Sequence, residues 1–106
     1  METERETMYT VTVQTPAGAF RGKMRLQMDE RSASGMLYWE SYTVPFAHVP
    51  VRNGEAAFHG SLKNPPLNFT VKIRKKEGGR VLQGTLLTPF GSFPVYGKKT
   101  EDRSWK

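Results

Sequence analysis

Two stretches of the chain alternate strictly between apolar and polar residues. In residues 20–28, apolar or small side chains alternate with arginine, lysine and glutamine, and in residues 68–74 polar side chains alternate with Phe69, Val71 and Ile73. Because side chains of a β-strand point alternately to opposite faces, each stretch has one apolar and one polar face. No window places apolar residues at i, i+3, i+4 and i+7 over three turns, as an amphipathic helix requires. We therefore predict an almost entirely β protein.

Turn signals rich in glycine, proline and asparagine separate the alternating runs. They lie at residues 15–18, 29–34, 53–54, 64–66, 77–79 and 88–91. With a further break at residue 42, which carries no such signal, we predict eight strands, at residues 8–14, 19–28, 35–41, 43–51, 55–62, 68–75, 80–87 and 92–98.

The turns also repeat along the chain. TPAGAFRGK begins at Thr15 and TPFGSFPVYGK begins at Thr88, while residues 58–65 match residues 82–89 at an offset of 24. Proline favours the second position of a tight turn, and glycine accepts the left-handed conformation that closes a hairpin. The repeat therefore indicates a hairpin unit of about 24–25 residues that is used four times.

Glycines at matched positions of the predicted inward faces, Gly35, Gly60 and Gly84, favour strongly bent strands that close on themselves. Closure also removes the two free edges that an open sheet would expose. We predict an all-β fold, a single closed eight-stranded antiparallel up-and-down barrel, with a sandwich or a shorter Greek-key barrel as alternatives. The predicted barrel domain spans residues 8–98, between a flexible N-terminal tail (1–7) and a C-terminal tail (99–106).

The predicted interior is apolar and uncharged. Its residues are Tyr9, Val11, Val13, Phe20, Met24, Leu26, Met28, Leu37, Trp39, Phe58, Leu62, Phe69, Val71, Ile73, Leu82, Leu86, Phe93 and Val95. An eight-stranded barrel is either filled by its own side chains or holds one small molecule. A charged guest would lose its hydration without gaining a partner, so the expected guest is a small apolar molecule. The candidate ligand-binding residues are Met24, Trp39, Phe58, Phe69, Leu82 and Phe93.

Between Tyr9 and Lys98, the pattern of eight short strands with apolar inner faces and turn glycines resembles the lipocalin-like and streptavidin-like barrels of the calycin group. The Gly-x-Trp signature of lipocalin first strands is absent, because the tryptophans are Trp39 and Trp105. The polar interior of biotin binders is not evident either. The resemblance implies the fold and a ligand at the open end of the barrel, and it carries over no binding residue.

A net charge of +6 makes a polyanion the rival partner. The candidate residues lie on the outer faces of the second and sixth strands: Arg21, Lys23, Arg25, Lys72 and Arg74. Tyr38 and Tyr96 also face outward, where they could stack on bases of single-stranded nucleic acid. In a closed meander, however, the second and sixth strands lie on opposite sides and form no continuous stripe. We therefore predict an apolar ligand as the first candidate partner and nucleic acid as the second.

The sequence predicts no catalytic residue, metal site or cofactor. Glu55, His59 and Ser61 share the outer face of one strand, but residues two apart lie about 6.6–7 Å apart, beyond the roughly 2.6–3.2 Å that a nucleophile and its base require. His48 and His59 have no nearby aspartate or cysteine that would complete a metal site, and the prolines around His48 predict an irregular or edge-like strand.

The absence of cysteine and of a signal-peptide pattern in METERETMYT predicts a cytoplasmic protein. No stretch reaches the roughly 18–20 apolar residues that span a bilayer, so no membrane partner is predicted. Met36 and Tyr38 alternate outward on the third strand, and such residues are enriched at interfaces. A homodimer, or a purely structural or protein-interaction module, therefore stays open.

Overall fold

The computed structural model describes residues 6–40, 42–63 and 66–100. Within these ranges the chain forms eight strands and one 3-10 turn at Glu77–Gly79. The strands are β1 (Thr7–Thr15), β2 (Gly18–Met28), β3 (Ser32–Trp39), β4 (Tyr42–Arg52), β5 (Glu55–Lys63), β6 (Pro66–Lys76), β7 (Val81–Thr88) and β8 (Gly91–Lys99). Each strand pairs antiparallel with the next, and β8 returns to pair with β1. The predicted closed up-and-down barrel is confirmed.

The seam between β1 and β8 runs from the pair Tyr9–Lys99 to the pair Val13–Val95. This pairing excludes the sandwich and the Greek-key barrel. The strands together span Thr7–Lys99, one residue more at each end than the predicted domain. The predicted tails fall largely on residues 1–5 and 101–106, which lie outside the described residues.

Almost all of the predicted inward side chains lie in one core. Tyr9, Ile73 and Leu82 are fully buried, and Trp39, Leu62, Leu86 and Phe93 are half-buried and pack against this core. Phe20 is the exception: 38% of its surface is exposed. It pairs with Val13 close to the β1–β2 turn, where the barrel opens, so its ring lies at the rim rather than in the centre.

β4 supplies core residues that alternation did not predict. Val44 and Phe46 are buried, and the Phe46 ring stacks on Phe58 with centroids 4.0 Å apart. β4 pairs with β3 along most of its length, but in the described part of the chain it pairs with β5 only through Val51–Ala56 and Arg52–Glu55. Its two prolines lack an N–H, and His48 has a positive φ of 55°. The irregular strand that the prolines predicted is therefore present within the barrel wall.

Two of the inward glycines, Gly35 and Gly84, lie where the backbone of a neighbouring strand approaches too closely for a side chain. A Cβ at Gly84 would lie 1.7 Å from the carbonyl oxygen of Lys72, and one at Gly35 would lie 1.9 Å from that of Arg25. These contacts are with backbone, which cannot move aside as a flexible side chain can. The glycines thus permit the tight coiling that closes eight short strands into a barrel.

The repeated turn phrase has one structural explanation. The Thr15 hydroxyl accepts a hydrogen bond from the Ala17 N–H and donates one to the Gly18 carbonyl, and Thr88 makes the same two bonds to Phe90 and Gly91. Both turns lie at the end of the barrel that carries the β1–β2, β3–β4, β5–β6 and β7–β8 connections. We call this end the hairpin end and the opposite end the floor.

Candidate functional site

An apolar cavity of about 140 Å³ lies inside the barrel and opens toward the hairpin end. Its lining comes from every strand and includes two polar side chains, those of Tyr42 and Thr88. The lining residues are Val11, Val13, Met24, Leu37, Trp39, Tyr42, Val44, Leu62, Leu67, Phe69, Val71, Leu86, Thr88 and Val95. Apart from the tyrosine hydroxyl of Tyr9, the buried side chains in the described part of the chain are apolar and uncharged. The cavity therefore offers dispersion contacts and little hydrogen bonding.

Two hydrogen bonds lie at the floor of the barrel. The Tyr9 hydroxyl donates a hydrogen bond of 2.6 Å to the carbonyl of Gly79 in the 3-10 turn, and the Lys75 ammonium donates one of 3.1 Å to the carbonyl of Met28. Burial raises the pKa of Tyr9 above its ordinary value of 10.0, because the phenolate would lose its hydration there. These contacts leave the hairpin end as the route into the cavity.

Two exposed aromatic residues, Phe20 and Phe90, lie at the hairpin end. Phe20 packs against Trp39, with ring centroids 6.1 Å apart, and Trp39 in turn lines the cavity. Phe90, at the tip of the β7–β8 turn, is 82% exposed. Trp39 thus connects the exposed Phe20 ring to the wall of the cavity.

Of the six residues predicted to bind a ligand, Met24, Trp39 and Phe69 line the cavity. The other three contribute to the barrel elsewhere. Phe58 is covered by the stacked Phe46 ring, Leu82 is fully buried, and Phe93 packs against the edge of the core. Alternation identifies an inward face, but it does not reveal at which height along the barrel the packing leaves space.

Four cavity residues, Tyr42, Val44, Leu67 and Thr88, were missed from the sequence, and Thr88 was assigned to the turn after β7. Tyr42 and Val44 belong to the irregular β4, where the prolines obscured the alternation. Leu67 follows the proline pair at the start of β6 and precedes the first residue predicted to be in that strand. The inward parity of Leu67 with Phe69 was the one signal that could have identified it.

The basic candidates lie on the outer wall, on β2 and β6. The Arg25 guanidinium lies 3.9 Å from the Glu6 carboxylate, donates to the Tyr38 hydroxyl and sits 5.6 Å from the centre of the Tyr38 ring. The Arg74 guanidinium lies 3.7 Å from Glu55 and donates to the carbonyl of Asn53 at 2.8 Å. Three strands separate β2 from β6 in either direction around the barrel, so Lys23 and Lys72 are not neighbours.

A second, wide and shallow depression lies on the outer wall of β5, β6 and β7. It has a volume of about 560 Å³ and includes His59, Ser61, Asn68 and Thr70. The His59 Nδ1 lies 2.9 Å from the Thr70 hydroxyl across the β5–β6 pair. The described residues contain no group of three or more histidine, aspartate or glutamate side chains that could hold a metal ion.

Comparison of the chain with protein-family models, with curated proteins and with solved structures gives no match. In the part of the chain that the structure describes, no helix is long and apolar enough to cross a membrane. The resemblance to calycin-type barrels therefore stays a prediction beyond the barrel fold itself.

Proposed function

We propose that this barrel is a non-enzymatic binding protein that holds a small apolar molecule in the cavity at its hairpin end. The observation that carries the proposal is the cavity of about 140 Å³, whose almost wholly apolar lining includes Trp39, beside which the Phe20 ring packs at the hairpin end. The proposal extends the calycin resemblance from the fold to a ligand at the open end.

The volume limits the size of the guest. Drug-sized ligands occupy pockets of roughly 300–1,000 Å³, whereas an apolar cavity of about 150 Å³ accommodates benzene. The guest, or the part of it that enters, is therefore the size of a single ring or of an alkyl chain of about six carbons. A larger molecule would leave its remainder outside, against the exposed Phe20 and Phe90 rings.

The lining selects for apolar guests. Each methylene transferred from water into an apolar site contributes about 0.8 kcal/mol, and about six of them contribute roughly 5 kcal/mol, which corresponds to a dissociation constant near 0.1–1 mM. An ionised group inside would lack a charged partner, at a cost of several kcal/mol. A polar or charged head is compatible with binding where it stays at the opening.

Binding of a series of 1-alkanols tests this proposal. Because 0.8 kcal/mol is nearly fourfold in affinity, the dissociation constant should fall about fourfold for each added carbon until the chain fills the cavity near six carbons. The fluorescence of Trp39, which lines the cavity, reports binding in a Trp105→Phe background. Native mass spectrometry of gently purified protein would in addition identify a guest that co-purifies.

Adjacent residues on opposite faces of β7 provide matched variants. Leu86 lines the cavity, and Leu87 faces the outer wall. Leu86→Phe should fill the cavity and weaken hexanol binding at least tenfold, while Leu87→Phe should leave it unchanged. Equal effects of the two variants, or an affinity that does not depend on alkyl chain length, would contradict the proposal.

A further inference from the structure

The strand register connects the basic residues of β6 and β2 across the outer surface of three intervening strands. One row of residues that share the outer-face parity runs through successive pairs as Lys76–Val81–Lys98–Thr10–Lys23, in which Val81 is buried and the other four are exposed or half-buried. The row two residues further along the strands runs as Arg74–Gln83–Tyr96–Thr12–Arg21. Lys98 and Tyr96 on β8 therefore occupy the middle of the interval that separates β2 from β6.

We define the basic face as the outward residues Arg21, Lys23, Arg74, Lys76, Tyr96 and Lys98. Neighbouring strands lie about 4.8 Å apart, so the three lysines of the first row follow each other at intervals of roughly 10 Å. The two rows are separated by about 7 Å along the strands. Tyr96, 48% exposed, lies two strands from Arg21 on one side and two strands from Arg74 on the other.

Acidic side chains are absent from the outward positions of the five strands that carry this face, β6, β7, β8, β1 and β2. The acidic residues of the described ranges lie in connections, at strand ends or on β5: Glu6, Asp29, Glu30, Glu40, Glu55 and Glu77. Arg74 is paired with Glu55, but Arg21, Lys23, Lys76 and Lys98 have no described carboxylate within 4.0 Å. The outward positions of these five strands therefore carry only basic and neutral side chains.

We propose that the basic face binds single-stranded nucleic acid. Its cations are spread over half the circumference of the barrel, and a flexible strand can follow this convex wall, whereas a rigid duplex or a flat bilayer would contact only part of it. Lysine and arginine neutralise the phosphates, and the exposed Tyr96 ring offers a platform on which a base can stack. Strands β2 and β6 lie on opposite sides of the barrel, as predicted for a closed meander, and Lys98 and Tyr96 on β8 lie on the wall between them.

Fluorescence anisotropy with labelled oligo(dT) and oligo(U) tests the proposal. If the five cations of the face each neutralise one phosphate, the logarithm of affinity should fall with the logarithm of salt concentration with a slope near −3.5, since each phosphate contributes about −0.7 for single strands. Affinity should thus drop by about a hundredfold between 50 and 200 mM salt. No binding at 50 mM salt would overturn the proposal.

Charge variants localise the site. Lys98→Gln should reduce the salt slope by about 0.7 and weaken binding, because it removes the central cation. Lys63→Gln is the matched control: Lys63 is exposed on β5, outside the basic face, and the same charge is removed. Equal losses from both variants would mean that net charge alone attracts the oligonucleotide, and would refute a site on this face.

Variants of Tyr96 separate nucleic acid from other polyanions. Tyr96→Leu should weaken oligonucleotide binding at least about fivefold through lost stacking, and Tyr96→Phe should retain it. Neither variant should alter binding of inorganic polyphosphate, which has no bases. If polyphosphate or phosphatidylserine vesicles bind as tightly as the oligonucleotide, or if Tyr96→Leu has no effect, the nucleic-acid assignment is wrong. Leu86→Phe, which fills the interior cavity, should leave oligonucleotide binding intact, so the two proposals can fail separately.

Discussion

Gly84→Ala should disrupt the barrel, although it adds only one methyl group to an apolar interior. The new Cβ would lie 1.7 Å from the Lys72 carbonyl oxygen, 2.7 Å from the Lys72 carbonyl carbon and 3.0 Å from the Ile73 Cα, whereas ordinary contacts begin near 3.4 Å. All three atoms belong to the backbone of β6, which is paired with β7 at this position. The two strands must therefore separate locally by more than 1 Å, since no side chain can rotate away.

The expected cost follows from three contributions. Overpacking costs about 1–3 kcal/mol, and the loss of one or two ladder hydrogen bonds costs about 1 kcal/mol each. Alanine also restricts the unfolded chain more than glycine does, and this offsets about 0.4–1 kcal/mol of the lost stability. Gly84→Ala should thus lower the free energy of unfolding by about 2–4 kcal/mol, a large share of the roughly 5–15 kcal/mol typical of a domain.

Gly97→Ala is the matched control on the neighbouring strand. The three atoms nearest to its Cβ would all belong to the Leu82 side chain, with Cβ at 3.1 Å and Cδ1 at 3.3 Å, so shifts of a few tenths of an ångström suffice. The effect on the unfolded chain is the same in both variants, and the difference between them isolates the backbone contact. We expect Gly97→Ala to change stability by less than about 1 kcal/mol.

Urea unfolding followed by far-UV circular dichroism measures both variants. A loss of 2–4 kcal/mol should also lower the Tm of Gly84→Ala by about 10–25 °C. If the two variants unfold within about 0.5 kcal/mol of each other, the close approach of β6 and β7 does not constrain residue 84, and the explanation of barrel closure by inward glycines fails.

Three further substitutions test the core, the floor and the turns. Phe69→Ala should lower the free energy of unfolding by about 3–5 kcal/mol in urea titrations, because it removes a buried ring that also lines the cavity; a loss below about 1 kcal/mol would contradict that placement. Tyr9→Phe should cost about 1 kcal/mol at neutral pH, through the lost hydrogen bond to Gly79. Because burial raises the pKa of Tyr9 in the folded state, the unfolded chain ionises first; the wild type should lose stability as the pH rises above 10.0, and the variant should lose less, whereas parallel curves would refute the burial effect. Thr15→Val and Thr88→Val each remove the same pair of turn hydrogen bonds, so thermal unfolding should show similar losses of roughly 1 kcal/mol, and clearly unequal losses would argue against a shared turn structure.

The turn phrase and the alternation of residues were sufficient to predict eight strands and the inward faces of seven of them. They succeeded because both are local: a strand alternates with period two regardless of its partner, and a Thr-Pro-x-Gly turn forms its hydrogen bonds within four residues. β4 was the least well predicted strand. Its prolines and the positive φ of His48 interrupt the pattern, and only its neighbours in space determine that Val44 and Phe46 face inward.

The candidate sites depended more on tertiary structure. Met24, Trp39 and Phe69 were identified from their inward parity, but the same reasoning selected Phe58, Leu82 and Phe93, which do not line the cavity. Whether an inward ring lines a space or fills it depends on the side chains that meet it from other strands, as when Phe46 covers Phe58. The basic face could not be predicted from local sequence patterns. Lys76, Lys98 and Lys23 are brought onto one surface by strand pairs between residues that are far apart in the chain.

The sequence by itself determined that this chain makes short amphipathic strands joined by tight turns, with an uncharged interior, since these properties follow from the order of neighbouring residues. The tertiary structure decided where the interior stays empty and which cations share a surface. Both depend on the register and shear of a closed sheet. The position of each strand along the barrel axis is set by its two neighbouring strands, so neither property can be predicted from a local sequence pattern.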